Sequence, residues 1–372
     1  MRRIGLIGAL ALSALSFGIV GPASADGLVV GALLPLTGPA APIGLEEQQG
    51  VQFAIDEINA KGGLNGVPVK VVFDDSQGKP DQAVLVFNRM TDLEAVPVVV
   101  TAFSSVSLAI APLATRRELL VINPAAQTDL LLDASPFLLN TIPLVQDEAK
   151  VLADYAVANI GKTAAIIYEN AAAGISGRDD FKKFFEAAGG KIIADEPVEF
   201  GQTNYRATLL KVAAARPHFV YIAITQSHEA MADQVGQVPG FPVGIGNTFS
   251  RPFFGHRSTE GWYQTAIVSG YTDEATLNRF KAKFKVSDMG FFAREYYNAT
   301  NIILQAAKKV LDGGGKLTGT SLRDAIFKIG AFKSDIADIV FTTNTASRPV
   351  EIIKYVGKER KVIAVSGPGK AN

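Results

Sequence analysis

Val98 to Leu132, VVVTAFSSVSLAIAPLATRRELLVINPAAQTDLLL, reads as strand, loop, helix, strand and loop in immediate succession. Val98, Val99 and Val100 form a β-branched apolar run, which suits a strand covered on both faces in a parallel sheet. Ser104, Ser105 and Ser107 follow, with hydroxyls able to cap a helix that the pattern starts near Ser105. Leu119 to Ile122 is a second apolar run, closed by Asn123-Pro124. In a right-handed βαβ unit both loops open on the same sheet edge, where helix N-termini direct free N–H groups outward. The stretch therefore predicts an anion-binding edge.

Working outward, the same alternation continues on both sides. Leu28 to Leu34 is an apolar run ending in the turn residues Thr37-Gly38-Pro39, and a helix is expected from after Gly44 to about Ala60. Lys61-Gly62-Gly63-Leu64-Asn65-Gly66 stops it, Val67 to Phe73 is the next strand, and Pro80-Asp81 opens another helix. After Thr141-Ile142-Pro143 the pattern restarts, with strands expected at Ala164–Tyr168, Lys191–Ile193, Phe219–Ile222, Pro242–Ile245 and Thr265–Ser269. Helices then dominate from Glu274 to Ile329, and Glu351–Tyr355 with Lys361–Val365 reads as a late hairpin. The fold class is α/β, two doubly wound parallel-sheet lobes of similar pattern and different sequence.

The ends and the charge narrow the function. Met1 to Ala25 carries Arg2-Arg3, an apolar run from Ile4 to Val20 and Ala23-Ser24-Ala25, the three parts of a secretory signal peptide. Its removal leaves 34 basic against 36 acidic residues, a net charge of about −2. No long basic run is present, so nucleic acid and anionic membrane are poor partners. There is no cysteine, so an exported chain of this sequence is held by its cores without disulfides. The expectation is a soluble periplasmic monomer with no direct membrane insertion.

Three segments carry a family resemblance: GALLPLTGPAAPIG, GVQFAIDEINAKGGLNGVPVKVVFDD and SSVSLAIAPLATRRELLVINPAA. Together they resemble the substrate-binding proteins of bacterial ABC importers of the leucine/isoleucine/valine-binding type, over nearly the whole mature chain. The resemblance implies the type I periplasmic binding fold, two lobes facing each other across a cleft and joined by a three-segment hinge. It assigns 1–25 to a signal peptide, 26–143 and 270–343 to lobe I, and 144–269 and 344–372 to lobe II. The crossings are expected at Asn140–Val145, Val268–Thr272 and Thr342–Ala346. It further implies capture of a small carboxylate-bearing ligand and its delivery to an ABC importer permease in the inner membrane, with no cofactor and no metal.

Carried over position by position, the resemblance puts Ser104 and Ser105 where a loop serine and neighbouring N–H groups hold the ligand's carboxylate. Ala125, Ala126 and Gln127 fall in the turn that supplies backbone contacts, with Gln127 in place of the usual threonine. Ile43, Ala173, Thr225 and Thr248 fall where the amino-acid binders tend to have tyrosine, tyrosine, tyrosine and an acid. A buried ammonium needs a carboxylate or several acceptors, because an unpaired charge in a closed cleft costs several kcal/mol. The ligand is therefore either a branched-chain-type amino acid, with Glu169 or Glu229 supplying the acceptor from elsewhere, or an aromatic or other acid without an amino group.

Other readings stay open beside these. Ser104 and Ser105 serve equally as helix caps; Arg251, His256 and Arg257 read as a solvated loop; Phe291, Phe292, Tyr296 and Tyr297 read as helical core. An enzyme is not expected. His218, His228 and His256 lack metal-ligand spacing, Gly174-Ile175-Ser176-Gly177 is not a nucleophile elbow, and no phosphate-binding glycine loop is present. A periplasmic sensor component or an amide-binding regulator of the same fold is the alternative function.

Overall fold

The computed structural model describes residues 27–253, 256–267, 273–333, 338–357 and 359–366, the side chains of 251–253 excepted. The expected signal peptide at 1–25 and the expected crossing at 268–272 lie outside the described residues. The chain opens with β1 (Val29–Leu34), α1 (Ala41–Ala60), β2 (Lys70–Asp75), α2 (Pro80–Leu93), β3 (Val98–Thr101), α3 (Ser104–Arg117), β4 (Leu120–Asn123) and β5 (Leu138–Asn140). These strands form a wholly parallel sheet ordered β2-β1-β3-β4-β5. Along β3, Val98 and Val100 enter one core and Val99 the other, the two-residue period of a strand covered on both faces.

A second unit follows: α4 (Val145–Asn159), β6 (Thr163–Glu169), α5 (Ala172–Ala187), β7 (Lys191–Val198), α6 (Arg206–Ala215), β8 (Phe219–Ala223), α7 (His228–Val235), β9 (Val243–Gly246) and β10 (Tyr263–Ile267). The chain then returns to the first core with α8 (Glu274–Phe284), α9 (Phe291–Asp312) and α10 (Gly319–Ile329), which place Phe280, Tyr296, Ile303 and Leu322 there. Helix α9 packs so closely on α1 that a Cβ on Gly50 would lie 2.2 Å from the Ala293 carbonyl oxygen. Only glycine fits that contact. Three short strands, β11 (Ala331–Phe332), β12 (Ile339–Phe341) and β13 (Ala346–Ser347), make a small antiparallel sheet on this core.

Finally β14 (Val350–Val356) and β15 (Glu359–Ser366) form the hairpin read from the sequence. It extends the second sheet to the order β15-β14-β10-β9-β8-β6-β7, with β14 antiparallel to β10. The α/β reading with parallel sheets in two lobes holds. Some details differ from the sequence pattern: α1 starts at Ala41 rather than after Gly44, and β5 and the β11–β13 sheet were not expected, because strands of two or three residues are too short to show a period.

In the first sheet the strand order reverses beside β1 and β3, and in the second beside β6 and β8. At such a switch point neighbouring loops diverge to opposite faces, leaving a crevice at the carboxyl edge. Two passages between the units are laid side by side. Asn140 N–H donates to the Asn344 carbonyl at 2.7 Å and its Nδ2 to Thr345 Oγ1 at 3.0 Å. Arg348, whose side chain is fully buried, donates to both carboxyl oxygens of Glu295 on α9, at 2.6 and 3.1 Å, and to the Thr141 carbonyl at 3.4 Å. A guanidinium fork matched to a carboxylate is the geometry that makes burial of two charges tolerable.

Candidate functional site

The two switch points face one another, and between them lies a narrow cavity lined from both lobes. Its first-lobe wall comes from Ile43 and Glu47 on α1, Phe103 and Ser104 after β3, the Ala125–Gln127 turn after β4, and Phe292 on α9. The second-lobe wall comes from Ala173 after β6, Thr225 after β8, and Phe249. Of the residues singled out in the sequence, Ile43, Ser104, Ala125, Ala126, Gln127, Ala173 and Thr225 meet at this cavity. Ser105 and Thr248 are not on its wall.

The first-lobe side is an open helix end. Helix α3 starts at Ser104, and the residue before it, Phe103, has φ +62°. A positive φ on an aromatic residue is strained and persists only where its surroundings dictate it. Here it turns the Phe103 ring into the cavity and against Phe200 of the other lobe, edge to face at 5.9 Å. No side chain caps this helix, which corrects the expected role of the serine hydroxyls. Ser104 Oγ instead accepts the Thr128 N–H at 3.3 Å. The first-turn N–H groups have no acceptor within the helix and carry its positive dipole end, so this is where an anion is stabilised.

The neighbouring turn is stapled by Asn123. Its Oδ1 accepts the N–H groups of Ala125 at 3.3 Å and Ala126 at 2.8 Å, and its Nδ2 donates to the Ala126 carbonyl and to Asn140 Oδ1, both at 2.7 Å. Gln127 borders the cavity but its amide is spent elsewhere, donating to the Pro143 carbonyl at 3.2 Å and to Glu148.

The second-lobe side turns its polar groups inward. Thr225 gives both its N–H, at 3.2 Å, and its hydroxyl to Glu169, which also accepts the Gly201 N–H at 3.4 Å. Burial raises the Glu169 pKa, and these hydrogen bonds oppose the shift. Thr248 is likewise spent: its N–H and hydroxyl donate to Glu148 Oε2 at 2.8 and 2.7 Å, and Thr265 donates to the same oxygen. Ala173 comes close because α5 begins against the sheet edge, where a Cβ on Gly174 would lie 2.2 Å from the Glu169 carbonyl oxygen. Across the cleft mouth Thr128 and Ser176 share a hydroxyl hydrogen bond of 2.6 Å.

Four lining residues escaped the sequence reading: Glu47, Phe103, Phe249 and Phe292. Phe292 was expected as core with Phe291, Tyr296 and Tyr297; those three are buried, whereas Phe292 looks into the cavity. Glu47 had a usable signal, since it shares a helix face with Gly44, Val51 and Ala54, so the helical period alone buries it. It is 1% exposed, and burial, reinforced by the neighbouring Glu46 charge, pushes its carboxyl up to about 8. Of the other candidates, Glu229 is exposed on α7, His256 bonds Asp233 and Ser258, and Arg257 is exposed. Arg251's side chain lies outside the described residues. Among the described residues no cluster of three metal-ligating side chains occurs and no helix is long and apolar enough to cross a membrane.

Known proteins match this arrangement. The leucine-, isoleucine-, valine-, threonine- and alanine-binding protein of Pseudomonas aeruginosa is 27% identical over 82% of this chain and 84% of its own. A solute-binding protein of an ABC transporter from Rhodopseudomonas palustris, solved with 3,4-dihydroxybenzoic acid, superposes with a TM-score of 0.82 at 21% identity, covering 93% of this chain and 98% of that one. A branched-chain amino acid transporter substrate-binding protein from Streptococcus pneumoniae, solved with isoleucine, gives 0.80 at 21% identity, covering 92% and 100%. At that identity the neighbours show the fold. These relatives are binding proteins of transporters and not enzymes. Residues 27–359 match the family described as periplasmic binding protein, and the chain belongs to that family.

Proposed function

We propose that this protein is exported by its N-terminal signal peptide and works in the periplasm as the monomeric substrate-binding component of an ABC importer, closing on a small aromatic carboxylate. What supports this reading above all is the state of the acids around the cavity. Glu169 is occupied by Thr225, Glu148 by Thr248, Thr265 and Gln127, and Glu47 is held neutral near pH 7. An ammonium would have to share acceptors that are already hydrogen-bonded within the protein, whereas a carboxylate meets the open end of α3 and Ser104. The rest of the wall, with Phe103, Phe249, Phe292, Ile43 and Ala173, suits an apolar ring.

Ligand bridging both lobes stabilises the closed arrangement by its differential affinity for it, and the closed shape is what a permease recognises. A second reading, a branched-chain amino acid, is favoured by one observation: Glu47 lines the cavity and an ammonium beside it would ionise it. The P. aeruginosa relative's ligands agree with that chemistry.

A thermal-shift and calorimetry screen separates the two, because a ligand stabilises by mass action. Benzoate-type acids are expected to raise the melting temperature and leucine, isoleucine and valine to leave it unchanged. The reverse result overturns the aromatic reading in favour of the second. Co-purification with an importer permease, against a sensor-kinase ectodomain, tests the transport role.

A further inference from the structure

Glu47 is a buried acid with unused valence in the cavity wall. Its Oε2 has no hydrogen-bond partner, and the Tyr296 phenol on α9 approaches the same carboxyl. Proton bookkeeping fixes what this group can offer. Tyr296 has one hydroxyl proton, and it goes to the Thr101 carbonyl at 2.8 Å. That proton is therefore not offered to Glu47, and the Glu47 Oε2 is left without a donor from the protein. Neutral or ionised, the carboxyl keeps an oxygen free to accept a hydrogen bond from the cavity. No protein donor reaches it, and in an enclosed, mostly apolar pocket an unmet acceptor is costly. The ionised alternative would set a second negative charge beside the ligand's own carboxylate.

We propose that Glu47 is a specificity-determining residue that accepts a hydrogen bond from a hydroxyl on the ligand, so that the preferred cargo is a ring-hydroxylated aromatic monocarboxylate rather than its unsubstituted parent. This rests on the aromatic-acid reading and narrows it. A parent acid leaves the Glu47 acceptor buried and unmet, which lowers its affinity by about tenfold to a hundredfold relative to the matching hydroxy acid. A second carboxylate in place of the hydroxyl is rejected, because the two anions would share one small cavity.

The test is calorimetric titration at pH 7 of the wild type, Glu47→Gln and Glu47→Met with benzoate, its three monohydroxy isomers and leucine. Glutamine reproduces the neutral acid in shape and keeps its carbonyl as an acceptor, whereas methionine keeps the bulk and removes the acceptor. The expected result is that at least one hydroxy isomer binds wild type and Glu47→Gln about tenfold or more tighter than benzoate, and that Glu47→Met compresses the ratio to within about threefold by weakening the hydroxy acid alone. Equal affinities in the wild type, or a ratio that survives in Glu47→Met or collapses in Glu47→Gln, overturns the inference and leaves the aromatic reading standing. Binding of leucine alone, abolished in Glu47→Gln, overturns both and makes Glu47 the ammonium partner.

Discussion

The two walls of the cleft are built from the same part of the same architecture and do opposite things with it. Each lobe brings loops to the switch point of a parallel sheet. The first lobe leaves valences open there: the uncapped start of α3, Ser104 with a single 3.3 Å contact, and the unmet oxygen of Glu47. The second lobe closes its valences on itself, through Thr225 to Glu169 and Thr248 to Glu148, and shows the cavity Ala173, Phe249 and the far side of Thr225. One wall supplies polarity and the other supplies shape. A grip made of main-chain N–H groups survives almost any side-chain change, whereas a wall made of side chains is free to be respecified.

That contrast can be broken most severely at Glu148. Alanine there strands buried donors from Gln127, Thr248 and Thr265 on both sides of the cleft, and urea unfolding should show a loss of about 3 kcal/mol or more. A second effect concerns pH. The carboxyl of Glu47 in the folded protein titrates near 8, above its unfolded value, so its contribution to stability is fully present below about pH 4.5 and is lost as pH rises through about 8. The titratable groups acting on it are Tyr296 from α9 and Glu46 from its own helix. Asp129 adds to the same alkaline arm, because partial burial and the Asp180 carboxyl beside it push it up to about 8. The urea midpoint should fall between pH 6 and 9 in the wild type and fall less in Glu47→Gln; an unchanged slope would show that Glu47 does not titrate there.

The smallest effects sharpen the comparison directly. Ser104→Ala should weaken carboxylate binding by roughly 1.5 to 3 kcal/mol with little change in stability. Thr225→Val, its counterpart on the other wall, should cost about 1 kcal/mol of stability through Glu169 and change affinity by less than about threefold. Calorimetry on the pair decides whether the division of labour is real.

Much of the fold was legible because it is written in local periods: β3, β4 and the late hairpin all sit where alternation and turn residues put them. The site was legible on the first-lobe side only. There the strand-loop-helix sequence itself dictates an anion-binding edge, although the Phe103 conformation that shapes it, and the diversion of Ser104 Oγ to Thr128, depend on contacts a local reading does not contain. On the second-lobe side, Thr225 and Thr248 sit at equivalent-looking loops. What separates them is whether Glu148 or Glu169 stands behind, residues 100 and 56 positions away in sequence. Glu47 lies between these cases, its burial readable from the helical period but its exposure to the cavity not.

The pinned passages between the lobes bear on how little a small ligand has to accomplish. Asn140 is tied to Asn344 and Thr345, and Arg348 is clamped to Glu295 and Thr141. Two strands fastened side by side bend together but resist twisting and sliding, so in the closure proposed above these two passages would favour rotation over other relative motions. On that proposal the entropy lost on closing over a ligand of a dozen atoms would be small, and a handful of contacts would be enough to decide between open and shut.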